Sequence, residues 1–158
     1  MAFDLKLEET GNGGDAVLSG NDLEIVLGWE NMPYMALFGG NPGHITPRVR
    51  ATDEQAGDFW GNLIFHRDDP GIQFNSRTEH VLNNVTLNSE GRLQIEEAAK
   101  KDLEFMSDFA TVNVVATIPT VDRVDIVLEI ARLDNLEEKQ FIFIWDATEA
   151  ALIAAEIN

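Results

Sequence analysis

Val112-Asn113-Val114-Val115-Ala116-Thr117-Ile118-Pro119-Thr120-Val121-Asp122-Arg123-Val124-Asp125-Ile126-Val127-Leu128-Glu129-Ile130 is the stretch that decides the fold. Val112, Val114, Ala116 and Ile118 stand at alternate positions, the spacing of a strand with one face on a core. Pro119-Thr120 interrupts the run, and Val124, Ile126, Leu128 and Ile130 then resume the same alternation. Asn135 to Glu138 turn the chain again, and Phe141-Ile142-Phe143-Ile144-Trp145 forms a third run. Upstream the period changes. Ile95, Ala99, Leu103 and Met106 recur at helical spacing, and Glu96 and Glu97 sit four residues before Lys100 and Lys101. That order of charges suits side-chain pairing along a helix. The spacing predicts a helix over 89–108. A helix followed by three consecutive strands predicts an α+β fold, with the helix packed on an antiparallel three-stranded sheet over 111–145.

Reading outward toward the C-terminus, Asp146-Ala147-Thr148-Glu149 has capping-box spacing before an alanine-rich end. It predicts a short C-terminal helix over 146–158, with Ile153 and Ile157 on one face. A helix that short is marginal alone and has to dock. Toward the N-terminus, Phe3, Leu5 and Leu7 alternate with Asp4, Lys6 and Glu8 before the turn-forming Thr10-Gly11-Asn12-Gly13-Gly14-Asp15. This predicts a β-hairpin over 1–20. Residues 23–27 suit a short strand. Asn31-Met32-Pro33 reads as a helix start, with Met35, Leu37 and Phe38 on its apolar face and Gly39-Gly40 as its stop. Residues 39–58 read as an irregular loop, and so long a loop in a compact domain often contacts something. Phe59-Trp60-Gly61-Asn62-Leu63-Ile64-Phe65 is a dense aromatic patch. Residues 78–87 fit a helix or a strand equally well. At 158 residues the whole chain, 1–158, is expected to form one domain.

Composition narrows the function classes. The chain has no cysteine, so a disulfide scaffold, a thiolate zinc site and a cysteine nucleophile are all excluded. Met1-Ala2-Phe3-Asp4-Leu5-Lys6 lacks the basic and apolar regions of a secretory signal, and no apolar run is long enough to span a membrane. Eleven Lys and Arg against 28 Asp and Glu give a net charge of −17. Such a surface repels DNA and anionic membranes and keeps the protein soluble. A basic protein partner is attracted.

The residues of known chemistry do not assemble into a motif. The glycine run at 11–14 lacks the Gly-Lys-Ser/Thr ending of a phosphate loop. His44, His66 and His80 form no zinc-binding pair, and His66 with Asp68 and Asp69 lacks the spaced oxygen ligands of a calcium loop. No Gly-x-Ser-x-Gly elbow occurs. Glu79, Glu96 and Asp102 are candidates for a glycosidase pair. Among 28 acids such pairs arise by chance, and a catalytic acid needs an apolar pocket to raise its pKa. No catalytic, cofactor-binding or metal-binding residue is therefore assigned.

An ordered set of short motifs resembles the Mu-type phage baseplate proteins, relatives of the W-like sheath initiators of contractile tails. Residues 23–38 resemble the segment that opens the family's middle region. Phe59-Trp60-Gly61-Asn62 resembles its aromatic-aromatic-glycine-acid signature, with Asn62 in place of aspartate. Asn75-Ser76-Arg77 resembles its glycine-serine-arginine step, and Trp145-Asp146 its closing aromatic-aspartate. The Glu-Pro-Arg motif of the wider W-like group is absent, and Met106-Ser107-Asp108-Phe109 stands there instead. The resemblance implies a non-enzymatic structural part of a virion tail baseplate, made in a bacterial or archaeal host cytoplasm. Its implied partners are wedge, sheath and tube proteins, with no cofactor, nucleic acid or small-molecule substrate. In the sheath initiators a sheet edge is extended by sheath strands, and residues 139–145 are the expected edge here. The candidate interface comprises Phe59, Trp60, Asn62, Ser76, Arg77, Phe143, Trp145 and Asp146. Two competing readings are a tail-associated lysozyme-like enzyme and a free-standing acidic protein-binding module.

Overall fold

The computed structural model describes residues 3–9, 14–20, 22–39 and 76–158. The fold is mixed α+β, and all its strand pairs are antiparallel. Six short strands come first: β1 (Phe3–Leu5), β2 (Leu7–Glu9), β3 (Gly14–Ala16), β4 (Leu18–Ser19), β5 (Asp22–Leu23) and β6 (Ile25–Leu27). Helix α1 (Met32–Phe38) follows, then α2 (Arg77–Asn84), α3 (Ser89–Asp102) and a 3-10 turn (Glu104–Asp108). The chain ends in β7 (Ala110–Thr120), β8 (Arg123–Arg132), β9 (Glu138–Asp146) and β10 (Ala151–Ile157).

The last four strands form one sheet in the order β10, β9, β8, β7. The alternation in the sequence translates directly into burial. Val124, Ile126, Leu128 and Ile130 on β8 are at most 1% exposed, and Phe141, Phe143 and Trp145 on β9 lie on the same face. The helices cover that face. Ile95, Ala99, Leu103 and Met106, the predicted stripe, are all buried against it. The helical run itself ends at Asp102, and residues 104–108 tighten into the 3-10 turn that feeds β7.

Two expectations about the sheet need correction. It has four strands rather than three, because residues 151–157 form a strand where a short C-terminal helix over 146–158 was expected. Asp146 does accept from two downstream amides, Thr148 N at 2.8 Å and Glu149 N at 3.0 Å. The hydrogen bonds of a helix start are thus spent on a tight turn, in which Ala150 takes a positive φ of 49°. Beyond that turn the unpaired side of β9 offers the backbone a ladder, and tertiary pairing overrides the weak helix preference of so short a segment. It follows that β9, read from sequence as an edge, is an inner strand bonded to β8 and β10.

The N-terminal segment also differs from a plain hairpin over 1–20. β2 pairs with β3, but β1 pairs with β6 and β4 with β5, giving three two-stranded ribbons. They meet at a closed ring of main-chain hydrogen bonds. Lys6 N donates to Glu24 O at 2.9 Å, Glu24 N to Val17 O at 2.8 Å, and Val17 N to Lys6 O at 3.0 Å. The Lys6 ammonium and the Glu24 carboxylate bridge the same hub at 3.0 Å. Asn31 occupies the N-cap position of α1, but its side-chain amide donates to Asp4 and to Leu5 O, which fastens the first ribbon to the helix.

The start of α3 depends on a glycine. Asn88 caps the helix through Gly91 N at 2.9 Å, and a Cβ at Gly91 would run into the Thr86 carbonyl. Gly91→Ala is therefore expected to lower stability, although alanine is worth about 1 kcal/mol more than glycine in an open helix. Trp145→Ala, which empties a site 2% exposed, is expected to cost about 3–5 kcal/mol. Urea denaturation of both variants measures these losses.

Candidate interaction surfaces

The sequence-selected residues divide by location. Phe59, Trp60 and Asn62 lie outside the described residues, as do residues 40–58 of the expected loop, His44 and His66. Phe143 and Trp145 are in the core, each 2% exposed. Phe38 of α1 stacks on Trp145 with ring centroids 6.2 Å apart and lies 5.4 Å from Phe143. These two aromatics join α1 to the sheet, and they have almost no surface to offer a neighbour in this state. Asp146 holds the turn described above.

Ser76 and Arg77 are staples as well. Ser76 is fully buried at the N-cap of α2, where its hydroxyl donates to Leu37 O of α1 and accepts from Glu79 N at 3.1 Å. Arg77 pairs with Asp102 at 3.2 Å, and the second Asp102 oxygen accepts from Thr78 N at 2.8 Å and from its hydroxyl at 2.7 Å. Ser76, Phe143 and Trp145 thus converge on one element, α1. Asp102, weighed from sequence as a candidate catalytic acid, ties the end of α3 to the start of α2. Burial raises its pKa above the ordinary 3.8, against the opposing hydrogen bonds from Thr78 and Arg77.

Sequence reasoning passed over Trp29. It is 6% exposed and meets Phe141 edge-on at 5.8 Å. Lys139 stands 5.7 Å and Arg132 6.0 Å from its ring, and Lys139 also binds Glu30 at 2.8 Å. The only signal in the sequence was a tryptophan just before a helix cap.

Among the described residues, the exposed surface of the sheet lies elsewhere. Its outer face carries Val115, Val127 and Ile142 side by side on adjacent strands, and Val115 is 42% exposed. Beside this row runs a polar one, Asn113, Glu129, Gln140 and Asn158, lining a depression of about 680 Å³. Asn113 donates to Glu129 there at 3.0 Å. The two edges differ. β10 has β2 beside it. No described strand pairs with the outer edge of β7. At Ala116 that edge is closed by a side chain, because Glu96 accepts from Ala116 N at 3.0 Å and is itself held by Arg92 at 2.5 Å. Main-chain groups alternate along a strand, so those of Val112 and Val114 point the same way as Ala116 N. They open onto a groove of about 360 Å³ between β7 and the end of α3, lined by Lys100, Leu103, Glu104, Ser107, Val112 and Val114 among others.

No family model matches this chain, and neither a curated protein nor a solved structure matches it. Among the described residues, no group of three or more His, Asp or Glu stands placed to hold a metal ion, and no helix is long and apolar enough to cross a membrane.

The Asp102 staple has a measurable signature. Because its folded pKa is raised, the folded state holds the proton more tightly than the unfolded chain does. Wild-type stability relative to Asp102→Asn is therefore expected to fall as pH rises through the interval just above 3.8, then to level off. Asp102→Ala removes the acceptor of the buried Thr78 donors and is expected to cost about 1–3 kcal/mol near neutral pH. Denaturation of both variants across this pH range tests the assignment.

Proposed function

We propose that this chain is a non-catalytic baseplate component of a phage-type contractile tail, which holds neighbouring wedge, sheath or tube proteins by strand addition at β7. The outer edge of β7 carries the reading. It runs for 11 residues, no described strand pairs with it, and a groove with apolar walls lies alongside. An extended segment laid there gains main-chain hydrogen bonds at the half-buried Val112, and its alternate side chains meet the walls of the groove. Glu96, already bonded to Ala116 N, marks where such an added strand stops.

Further support comes from the order of the motifs along the chain, which resembles the Mu-type baseplate family. The structural work done by Ser76, Arg77, Phe143 and Trp145 fits that resemblance, since Ser76, Phe143 and Trp145 fasten α1 to its surroundings and Arg77 fastens α2 to α3. A surface at −17 suits partners with basic faces and keeps the chain off packaged DNA. Its place of work on this reading is the tail baseplate, after synthesis in the host cytoplasm, and no cofactor takes part.

Val112→Pro tests the edge. Proline deletes a donor that faces the groove and leaves the ladder to β8 intact, because proline is tolerated at strand edges. The variant is expected to fold, yet to lose co-purification with the sheath, tube or wedge protein that the wild type retains. Wild-type protein that binds none of these, or that clears a peptidoglycan zymogram, would overturn the proposal.

A further inference from the structure

The first and third of the N-terminal ribbons concentrate exposed apolar side chains. Phe3 is 70% exposed, Leu18 71% and Ile25 63%, with Leu5 and Leu23 near 40%. Large apolar groups scattered singly on a surface need no explanation, but a cluster marks a contact site. Their arrangement is ordered. Phe3 faces Leu27 and Leu5 faces Ile25 across the first ribbon, so the four share one side of it. Leu18 faces Leu23 across the third ribbon. Leu27 packs against the core, so this apolar side begins at the body of the protein and runs outward.

The charge around these groups says what fits them. Between residues 3 and 27 stand Asp4, Glu8, Glu9, Asp15, Asp22 and Glu24 against Lys6, a net charge of −5. A second copy of the chain would bring another −17 to the contact, and an anionic bilayer would repel it in the same way. Like charges across an interface are costly, whereas a basic rim around an apolar groove complements both features of the arm. We infer that the ribbons form a docking arm for a different protein, one that offers an apolar groove rimmed with lysine and arginine. The arm is distinct from the β7 edge, and the inference stands whether or not the tail assignment does. Anchorage to the body is built in. Asn31 holds Asp4 and Leu5, and the ring through Lys6, Val17 and Glu24 fixes the ribbons to one another before any partner arrives. Little ordering then remains to oppose binding.

The full-length, isotopically labelled protein tests this by amide NMR titration with short synthetic peptides. A peptide alternating Leu and Lys mimics the groove's chemistry, and peptides alternating Ser and Lys or Leu and Glu are the controls. The Leu/Lys peptide is expected to shift amides within 3–27, with affinity that falls as salt rises. The controls should bind at least about tenfold more weakly. The double variant Phe3→Ser, Ile25→Ser keeps every charge and alters only exposed positions, so it should melt as the wild type does and lose the response. Equal binding of the Ser/Lys peptide would reduce the effect to bulk charge and overturn the inference. So would equal binding of the Leu/Glu peptide, shifts confined to other elements, or an unchanged double variant. Concentration-dependent self-association abolished by the double variant would assign the arm to a second copy instead, and co-sedimentation with lipid vesicles that the variant loses would assign it to a membrane. Either result overturns the proposal.

Discussion

Val124, Ile126, Leu128 and Ile130 run down the middle of the sheet, and each needs apolar matter on top of it. Burying such a side chain contributes about 1.5–3 kcal/mol relative to leaving it in water. That requirement draws the helices to one face of the sheet. The α3 stripe covers the β7–β8 side, and α1 reaches β9 through Phe38. The remaining polar contacts hold those helices at their places: Ser76 on Leu37 O, Asp102 on Thr78, and Lys139 on Glu30. Among the described residues the helices pack on one side of the sheet, and no described strand pairs with the outer edge of β7.

Much of this was legible in the sequence where the pattern was long and one-sided. The alternation across 112–130 and the helical stripe through Ile95, Ala99, Leu103 and Met106 became a sheet face and the helix face on top of it. The C-terminus was misread because local signals there are weak and ambiguous. Asp146 caps two amides in a turn as readily as in a helix, and only the ladder along β9 decides between them. The same missing strand made β9 look like an edge. At the N-terminus the alternation was visible, but the exchange of partners among six short strands follows from the ring at Lys6, Val17 and Glu24, which no local spacing encodes.

The candidate site was less legible than the fold. Trp145 and Phe143 drew notice as large aromatics, yet the same size that suits an interface also fills a core, and here Phe38 claims both. Ser76 and Arg77 sit in a motif whose work is capping and pairing. What the sequence did not single out is the treatment of the β7 edge. Glu96 reads as a solvated helix acid, but it leans across to Ala116 N and blocks one main-chain donor of an otherwise extendable strand. Guarding an edge with an inward-turned charge limits indiscriminate strand pairing. Here the guard covers one point, and among the described residues a groove lies beside the edge at Val112.

The ring that joins the three ribbons has an evolutionary consequence. It sets the register at one end of each ribbon, and the third ribbon, which turns at Gly20, has its far end away from the ring. An insertion of paired residues at the Gly20 turn lengthens the third ribbon alone and leaves the other two in register. Homologous chains can therefore vary the reach of this one ribbon while the sheet and its helices stay as they are.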